Sequence, residues 1–242
     1  MPELPELVRV LRAADGIWFF DPAEDSPGPA FALWCRTAPE RREEIRTALR
    51  AEGAVRIVEE RHGERPVVHR GARGFDLSDE LAAVSSELAV ALTAEGGPAD
   101  QEALVWAVRH LQHVVGLVPQ RDRRAFLFAC WQQWSAGLAP EDRVSLGLQA
   151  EIEAESVTGQ AAAGPRRGPA VSWTRYTERT RAIAADPAFT AQAPGNYLLF
   201  RHAHRTHARM GLPLAVEALA ARIVRAELDA TGAPAAPSLQ NA

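Results

Sequence analysis

Apolar residues recur at helical spacing along most of the chain after residue 76. Between 100 and 117, Leu104, Val108, Leu111 and Val115 lie three or four positions apart, which predicts one apolar helix face. The same period predicts further helices over 4–14, 77–94, 122–135, 140–154, 173–185, 196–210 and 213–229. Ser78 is expected to open the helix that begins at residue 77.

The first 75 residues follow a different pattern. Short runs rich in aromatic and β-branched residues, bounded by turn formers, predict strands over 17–20, 30–36, 54–60 and 65–70. Thr37 with Glu40 three positions later matches a capping box and predicts a helix from there. The expected fold class is α+β, in which a small N-terminal antiparallel β-sheet packs against a larger helical region.

The predicted organisation is a single domain over 1–230, with a strand-rich part over 1–75 and a helical part over 76–230. Residues 158–169, TGQAAAGPRRGP, are the most loop-like stretch, and we predict a surface loop there. The segment 231–242 is predicted to be a disordered tail.

Composition narrows the function classes. The chain has 242 residues, 47% of them hydrophobic, and no apolar run reaches the length of a membrane span. The charged start lacks an apolar signal core, so we expect a cytoplasmic protein. A net charge of −4 argues against a nucleic-acid partner, and no membrane partner is expected. The chain contains no lysine, which excludes Schiff-base chemistry on this chain.

The two cysteines, Cys35 and Cys130, stand among large apolar residues, and we predict that both are buried thiols without a catalytic role. The segment 200–213, FRHAHRTHARMGLP, holds three of the seven histidines. His204 and His207 share a helix face, while His202 is expected to point elsewhere. Because the segment has no carboxylate and no HExxH pattern, we expect no metal site.

Two segments carry a resemblance to a known family. Residues 17–20, IWFF, followed by 28–33, GPAFAL, are similar to an aromatic WFF strand and a following GPHLRLR strand. Residues 204–213, HRTHARMGLP, are similar to a late helix in which His204, Arg209 and Gly211 match and Ala208 replaces the usual asparagine. The chain thus resembles the C-terminal glutamate-elimination domain of lanthipeptide dehydratases and its stand-alone relatives in thiopeptide biosynthesis.

Departures from the family pattern indicate which activity the resemblance implies. Asp21 follows the aromatic strand where an arginine is usual, and Ala30 and Ala32 replace a histidine and an arginine. A carboxylate leaving group needs such fixed cations. The resemblance therefore implies a thiopeptide pyridine synthase rather than an eliminating enzyme. Such enzymes join two dehydroalanines of a modified precursor peptide in a formal [4+2] cycloaddition, with loss of water and of the leader peptide. This chemistry needs no redox cofactor and no metal, so the resemblance implies that the chain uses no cofactor.

Proton donors and acceptors are needed for these steps. His204 and Arg209 occupy matched positions of the late helix, and Tyr176 is one of only two tyrosines, so these three are the candidate catalytic residues. For Tyr176 a half-exposed helix position without function is the alternative, and Trp173 and Tyr197 could equally be core aromatics. The candidate substrate-binding residues are Ser172, Trp173, Arg175, Tyr197, Arg201 and His207.

The expected partner is a modified precursor peptide, a leader plus a core that carries azoles and dehydroalanines. Leaders in the family tend to be acidic, and the arginines from Arg201 to Arg209 could meet that charge. Two alternatives stay open at this point: a glutamate-eliminating dehydratase component of the same family, and a non-catalytic peptide-binding partner protein. The sequence also leaves a homodimer open.

Overall fold

The computed structural model describes residues 4–13, 17–22, 31–51, 72–98, 100–164, 169–189 and 194–232. These residues form helices α1 (Leu4–Ala13), α2 (Arg42–Ala51), α3 (Ala72–Ala94), α4 (Asp100–Leu117), α5 (Arg123–Trp134), α6 (Pro140–Ala163), α7 (Ala170–Ala184), α8 (Gly195–Arg209) and α9 (Leu214–Gly232). Strands β1 (Ile17–Pro22) and β2 (Phe31–Arg36) pair antiparallel. Short 3₁₀ turns cover Pro39–Arg41, Gln120–Asp122 and Pro187–Phe189.

The coarse fold class is confirmed, since the described residues are mostly helical with a small two-stranded antiparallel sheet. Every predicted helix has a counterpart, and no described residue from 100 to 232 lies in a strand. The predicted strands over 54–60 and 65–70 lie outside the described residues. No helix in the described part of the chain is long and apolar enough to cross a membrane.

One predicted helix start is wrong. α3 begins at Ala72, so Ser78 lies inside the helix and does not open it. The start predicted after Thr37 is confirmed, since a 3₁₀ turn begins at Pro39 and leads into α2. The N-cap of this turn is Ala38 rather than Thr37, and it makes no side-chain capping hydrogen bond. Pro39 at the start of that turn supplies the entry instead, because its fixed φ suits the first helical position.

The predicted loop over 158–169 is wrong in its first half, because α6 continues to Ala163. The run Ala161–Ala163 favours helix, and Thr158 satisfies its hydroxyl by donating to the carbonyl of Ala154 at 2.7 Å. Gly164 ends the helix with a φ of 87°. At the C-terminus, α9 runs to Gly232, and the rest of the predicted tail lies outside the described residues.

Contacts between Cα atoms group the chain into two compact units. The first contains Met1–Gly97 and Arg167–Gly211, and the second contains Pro98–Arg166 and Leu212–Ala242. The single domain expected over 1–230 stays a prediction.

In the first unit, β1 lies on α3, and α3 also packs against α7 and α8. Trp18, Phe19 and Phe20 of β1 are buried, as are Leu81 and Leu88 of α3. Burial of three successive strand residues means that both faces of β1 are covered, which explains why its sequence does not alternate. This strand and the two helices α7 and α8 position the candidate site.

In the second unit, α9 packs against α4, α5 and α6. Its buried positions include Leu219, Ile223 and Val224 together with three fully buried alanines, Ala218, Ala220 and Ala221. Small alanines let neighbouring helices approach closely. The predicted stripe of α4 is largely confirmed, since Val108, Leu111 and Val115 are buried while Leu104 is only half-buried.

Candidate functional site

Arg209 is the centre of a buried polar cluster in the first unit. It is the last residue of α8, and the residue is only 3% exposed. Its Nε donates to the carbonyl of Phe20 at 2.6 Å, its Nη1 to Ser85 Oγ at 2.7 Å and its Nη2 to Asp21 Oδ1 at 2.7 Å. A buried guanidinium is tolerated only when its donors are paired in this way.

The peptide groups of Phe20 are held from both sides. Phe20 pairs with Leu33 of β2 in the register of the sheet, while its N–H donates to Ser86 Oγ at 3.1 Å and its carbonyl accepts from Arg209. The neighbouring Ser85 accepts from Arg209 and donates to the carbonyl of Ala82 at 3.0 Å. Helices α3 and α8 therefore satisfy backbone groups that a strand edge would otherwise leave unpaired.

Asp21 supplies the negative charge of this cluster. Besides Oδ1, which accepts from Arg209, its Oδ2 accepts from Arg205 Nη1 at 2.7 Å. One carboxylate thus faces two guanidinium groups of α8. Burial lowers the pKa of Arg209 to about 10. The negative charge of Asp21 acts in the opposite direction and favours the protonated guanidinium. Asp21, which follows the aromatic residues of β1, is therefore the ion partner of Arg209.

Tyr176 on α7 forms a second buried pair with a histidine. Its hydroxyl lies 2.7 Å from Nε2 of His202, and the two rings stack with centroids 5.9 Å apart. Tyr176 is 1% exposed, which rules out the half-exposed alternative. Burial raises the pKa of this phenol well above its ordinary value, so Tyr176 stays protonated. It can exchange a hydrogen bond but does not supply a base.

His202 is held in place by its own helix turn. It is buried, and Thr206 one turn later donates to its backbone carbonyl at 2.7 Å. The imidazole on the Tyr176 hydroxyl is that of His202, and not that of His204, which the sequence favoured as the catalytic histidine. The charge of Arg209 acts to lower the pKa of Tyr176, and Tyr176 acts to raise the pKa of Arg209. The two parts of the cluster are therefore coupled electrostatically.

The other predicted site residues divide by exposure. His207 is fully buried, and Ser172, Trp173, Arg201 and His204 are half-buried, whereas Arg175 and Tyr197 are exposed. The Trp173 ring lies 5.6 Å from the ring of Tyr176, and the Arg201 guanidinium lies 6.0 Å from the ring of Tyr197. Tyr197 is therefore not a core aromatic, and the core alternative holds at most in part for Trp173.

Three residues of the cluster were missed by sequence reasoning: His202, Asp21 and Ser85. A signal existed for the first. His202, Thr206 and Arg209 are spaced i, i+4 and i+7, so they share one face of α8, and polar residues on a buried face must find partners. For Ser85 no local signal exists, since its role depends on how α3 meets α8.

The described residues contain no group of three or more His, Cys, Asp or Glu side chains that could hold a metal ion. Cys35 is exposed on β2, so the prediction that it is buried is wrong, whereas Cys130 is buried as expected. Cys35 is the second-to-last residue of β2, and it is followed by Arg36, which is exposed as well.

Chemically, the cluster offers fixed charges and hydrogen bonds rather than free reactive groups. The guanidinium of Arg209 is occupied by protein acceptors on all three nitrogens. Arg205 is more accessible, with a side chain that is 43% exposed, and half-buried His204 precedes it on the helix. Arg201 is half-buried as well, so these three side chains of α8 combine a charge or an imidazole with partial access to solvent.

The chain was compared with known proteins in two searches. No protein-family model matches it, and no curated protein matches it either.

Proposed function

We propose that this chain is a peptide-modifying enzyme of the thiopeptide pyridine-synthase type, with an elimination-domain-like fold. It acts on a precursor peptide that carries two dehydroalanines and closes them into a six-membered nitrogen ring by a formal [4+2] cycloaddition. Loss of water and expulsion of the leader then give the pyridine. The proposal rests on the two sequence segments that resemble the family.

One observation supports treating those segments as a single functional element. Arg209, a matched residue of the late helix, donates to Phe20 and Asp21 at the end of the aromatic strand. Asp21 and Arg209 are 188 positions apart in sequence, yet they share one buried cluster. An accidental resemblance in either segment would not require such a contact.

The proposed roles follow from exposure and charge. His204 exchanges protons during tautomerisation and elimination, because its imidazole is only half-buried and histidine is the side chain that most often transfers protons in enzymes. Arg205 beside it stabilises developing negative charge on an amide oxygen. Tyr176, His202 and Arg209 are buried and bonded to other protein groups, and these bonds hold α8 in position, so their contribution to the reaction is indirect. This assignment moves Tyr176 and Arg209 from direct chemistry to positioning.

The substrate is held by groups at the start of α7 and α8. Ser172, Trp173 and Arg175 lie near the beginning of α7, and Tyr197 and Arg201 near the beginning of α8. The exposed aromatic ring of Tyr197 with a guanidinium beside it suits a flat azole and an acidic leader. Holding both reacting ends in one geometry lowers a barrier of this kind by as much as about 7–11 kcal/mol.

A non-catalytic peptide-binding role is the second candidate, and one observation favours it. Tyr176 and Arg209, the residues first assigned to chemistry, are buried and bonded to protein groups. If His204 does not transfer protons, the remaining accessible groups bind but do not react. The glutamate-eliminating role has less support, because the carboxylate of Asp21 occupies the end of the strand where a cationic side chain is needed.

Turnover separates the two candidates. The purified chain is incubated with a fully dehydrated, azole-bearing precursor peptide, and the products are followed by mass spectrometry. An enzyme releases the leader and a product lighter by the leader and one water. A binding protein leaves the precursor unchanged, yet binds the full-length peptide more tightly than a leaderless one in a titration with labelled peptides.

A further inference from the structure

Helix α6 in the second unit exposes large apolar side chains in a row. Val144, Leu148 and Ile152 are spaced four residues apart, so they share one face of the helix. Their exposures are 65%, 58% and 82%. Single exposed apolar residues are ordinary on protein surfaces, but three in register on one helix form a continuous stripe.

The opposite face of α6 makes this arrangement unusual. The residues that α6 buries are Ala150, Val157 and Ala161, which lie on the side away from the stripe. The helix packs in the second unit against α4 and α9. It therefore buries mainly small side chains and leaves larger ones in water, the reverse of what stability alone favours. This pattern indicates that the stripe is covered by a partner.

Charge decides which partner fits. Glu141 and Glu155 lie seven positions before and after Leu148, and Glu151 lies seven after Val144, so carboxylates border the stripe along its length. All three are exposed. A second copy of the chain would bring these carboxylates together in either orientation, since antiparallel pairing sets Glu141 against Glu155 of the other copy. Like charges in such contacts are unfavourable.

We infer that the outer face of α6 docks a cationic amphipathic helix of another protein. The partner helix presents apolar residues at positions three and four apart to Val144, Leu148 and Ile152, and arginines or lysines beside them to the three glutamates. This docking is separate from the proposed chemistry, because an acidic leader peptide would be repelled by the same carboxylates.

A designed peptide serves as the probe. It is a labelled synthetic helix with leucine at heptad positions a and d and arginine at positions e and g. A matched peptide carries glutamate at e and g. Binding to the full chain is measured by fluorescence anisotropy at low and high salt. The variant is the double substitution Leu148→Ser with Ile152→Ser, and the control is Val171→Ser, an equally exposed apolar residue of the first unit.

The arginine peptide should bind the wild type at least tenfold more tightly than the glutamate peptide, and salt should weaken it. The double variant should lose about tenfold or more in affinity, while Val171→Ser binds like the wild type. Equal binding of the two peptides, or of wild type and double variant, overturns the inference. Sedimentation of the wild type and the double variant tests a second occupant. If the wild type is a dimer and the double variant is a monomer, the face binds a second copy of the chain, and the inference is overturned.

Discussion

Nη2 of Arg209 and Oδ1 of Asp21 lie 2.7 Å apart, which joins the end of α8 to the end of β1. The Arg209 side chain is 1% exposed and that of Asp21 is 16% exposed, so little solvent screens the pair. Removing one partner of a pair like this leaves a charge without compensation, and that cost exceeds the net value of the pair itself.

Asp21→Asn tests this relationship by keeping the side-chain shape and removing the charge. We expect the free energy of unfolding to fall by about 3 kcal/mol, the lower end for a buried pair. Urea denaturation measures the change. The control is Glu80→Gln on α3, whose partner Arg179 is 55% exposed. It should cost less than about 1 kcal/mol. Equal losses in the two variants would mean that Asp21 has no special role.

Tyr176→Phe keeps the ring and removes the hydroxyl that contacts Nε2 of His202. At neutral pH the variant should lose about 1–3 kcal/mol of stability, because the buried nitrogen loses its partner. A folded variant should still bind precursor peptide, since Tyr176 is buried and is not one of the proposed substrate-binding residues. Unchanged stability would show that the hydrogen bond contributes nothing to the fold.

The pH dependence of the same comparison has a definite sign. Burial raises the pKa of Tyr176 above its ordinary value of 10.0, so the folded chain keeps a proton that the unfolded chain loses. The stability from this group is complete below pH 10 and falls as pH rises beyond it. The difference between wild type and Tyr176→Phe should therefore shrink above a pH of about 10. A constant difference would contradict the burial of the phenol.

Gly164 ends α6 with a φ of 87°, and a Cβ there would collide with Nη1 of Arg109. Gly164→Ala should destabilise the chain by at least about 1 kcal/mol, through backbone strain and displacement of the arginine. Gly159→Ala on the same helix is the matched control, since nothing lies within 4 Å of its added methyl group. That variant should instead gain up to about 1 kcal/mol. A lower melting temperature for Gly159→Ala than for Gly164→Ala would contradict the end of α6 at Gly164.

The two cysteines should differ in reactivity. Cys35 is exposed, whereas Cys130 is fully buried, and burial together with the nearby carboxylate of Glu217 raises its pKa. A thiol reagent should modify one cysteine in the folded chain and both after unfolding. Burial also raises the pKa of Cys35, so its reaction should be slower than that of a free thiol. Modification of both cysteines at the same rate in the folded chain would contradict the burial of Cys130 on α5.

Helical periodicity was sufficient to predict the helices, but not all of their ends. α4 was predicted within its observed bounds, because its apolar positions recur regularly and Gly97 and Pro98 precede it. The start of α3 was missed because residues 72–76, ARGFD, carry no apolar period. The end of α6 was missed because the whole stretch 158–169 was predicted as a loop, although its alanines favour helix.

The candidate site was predicted less completely than the fold. Sequence reasoning selected Tyr176 and Arg209, which do belong to one cluster, but it assigned them to direct chemistry. Their burial depends on tertiary packing of β1, α3, α7 and α8, which no local pattern records. At position 21, the sequence indicated only that an aspartate stands where the resembled family has an arginine. Its role became visible when the structure placed both Arg205 and Arg209 on its carboxylate.

The most direct test of the proposed enzyme is leader release from a fully dehydrated precursor, followed by mass spectrometry for the wild type and for His204→Ala. The wild type should convert the precursor to a pyridine-containing product and free leader. His204→Ala should bind the precursor with unchanged affinity and convert it about 10²–10⁴-fold more slowly, the usual contribution of a proton-transfer group. A wild type that binds the precursor and releases no leader would contradict the account, and the chain would then be a peptide-binding protein.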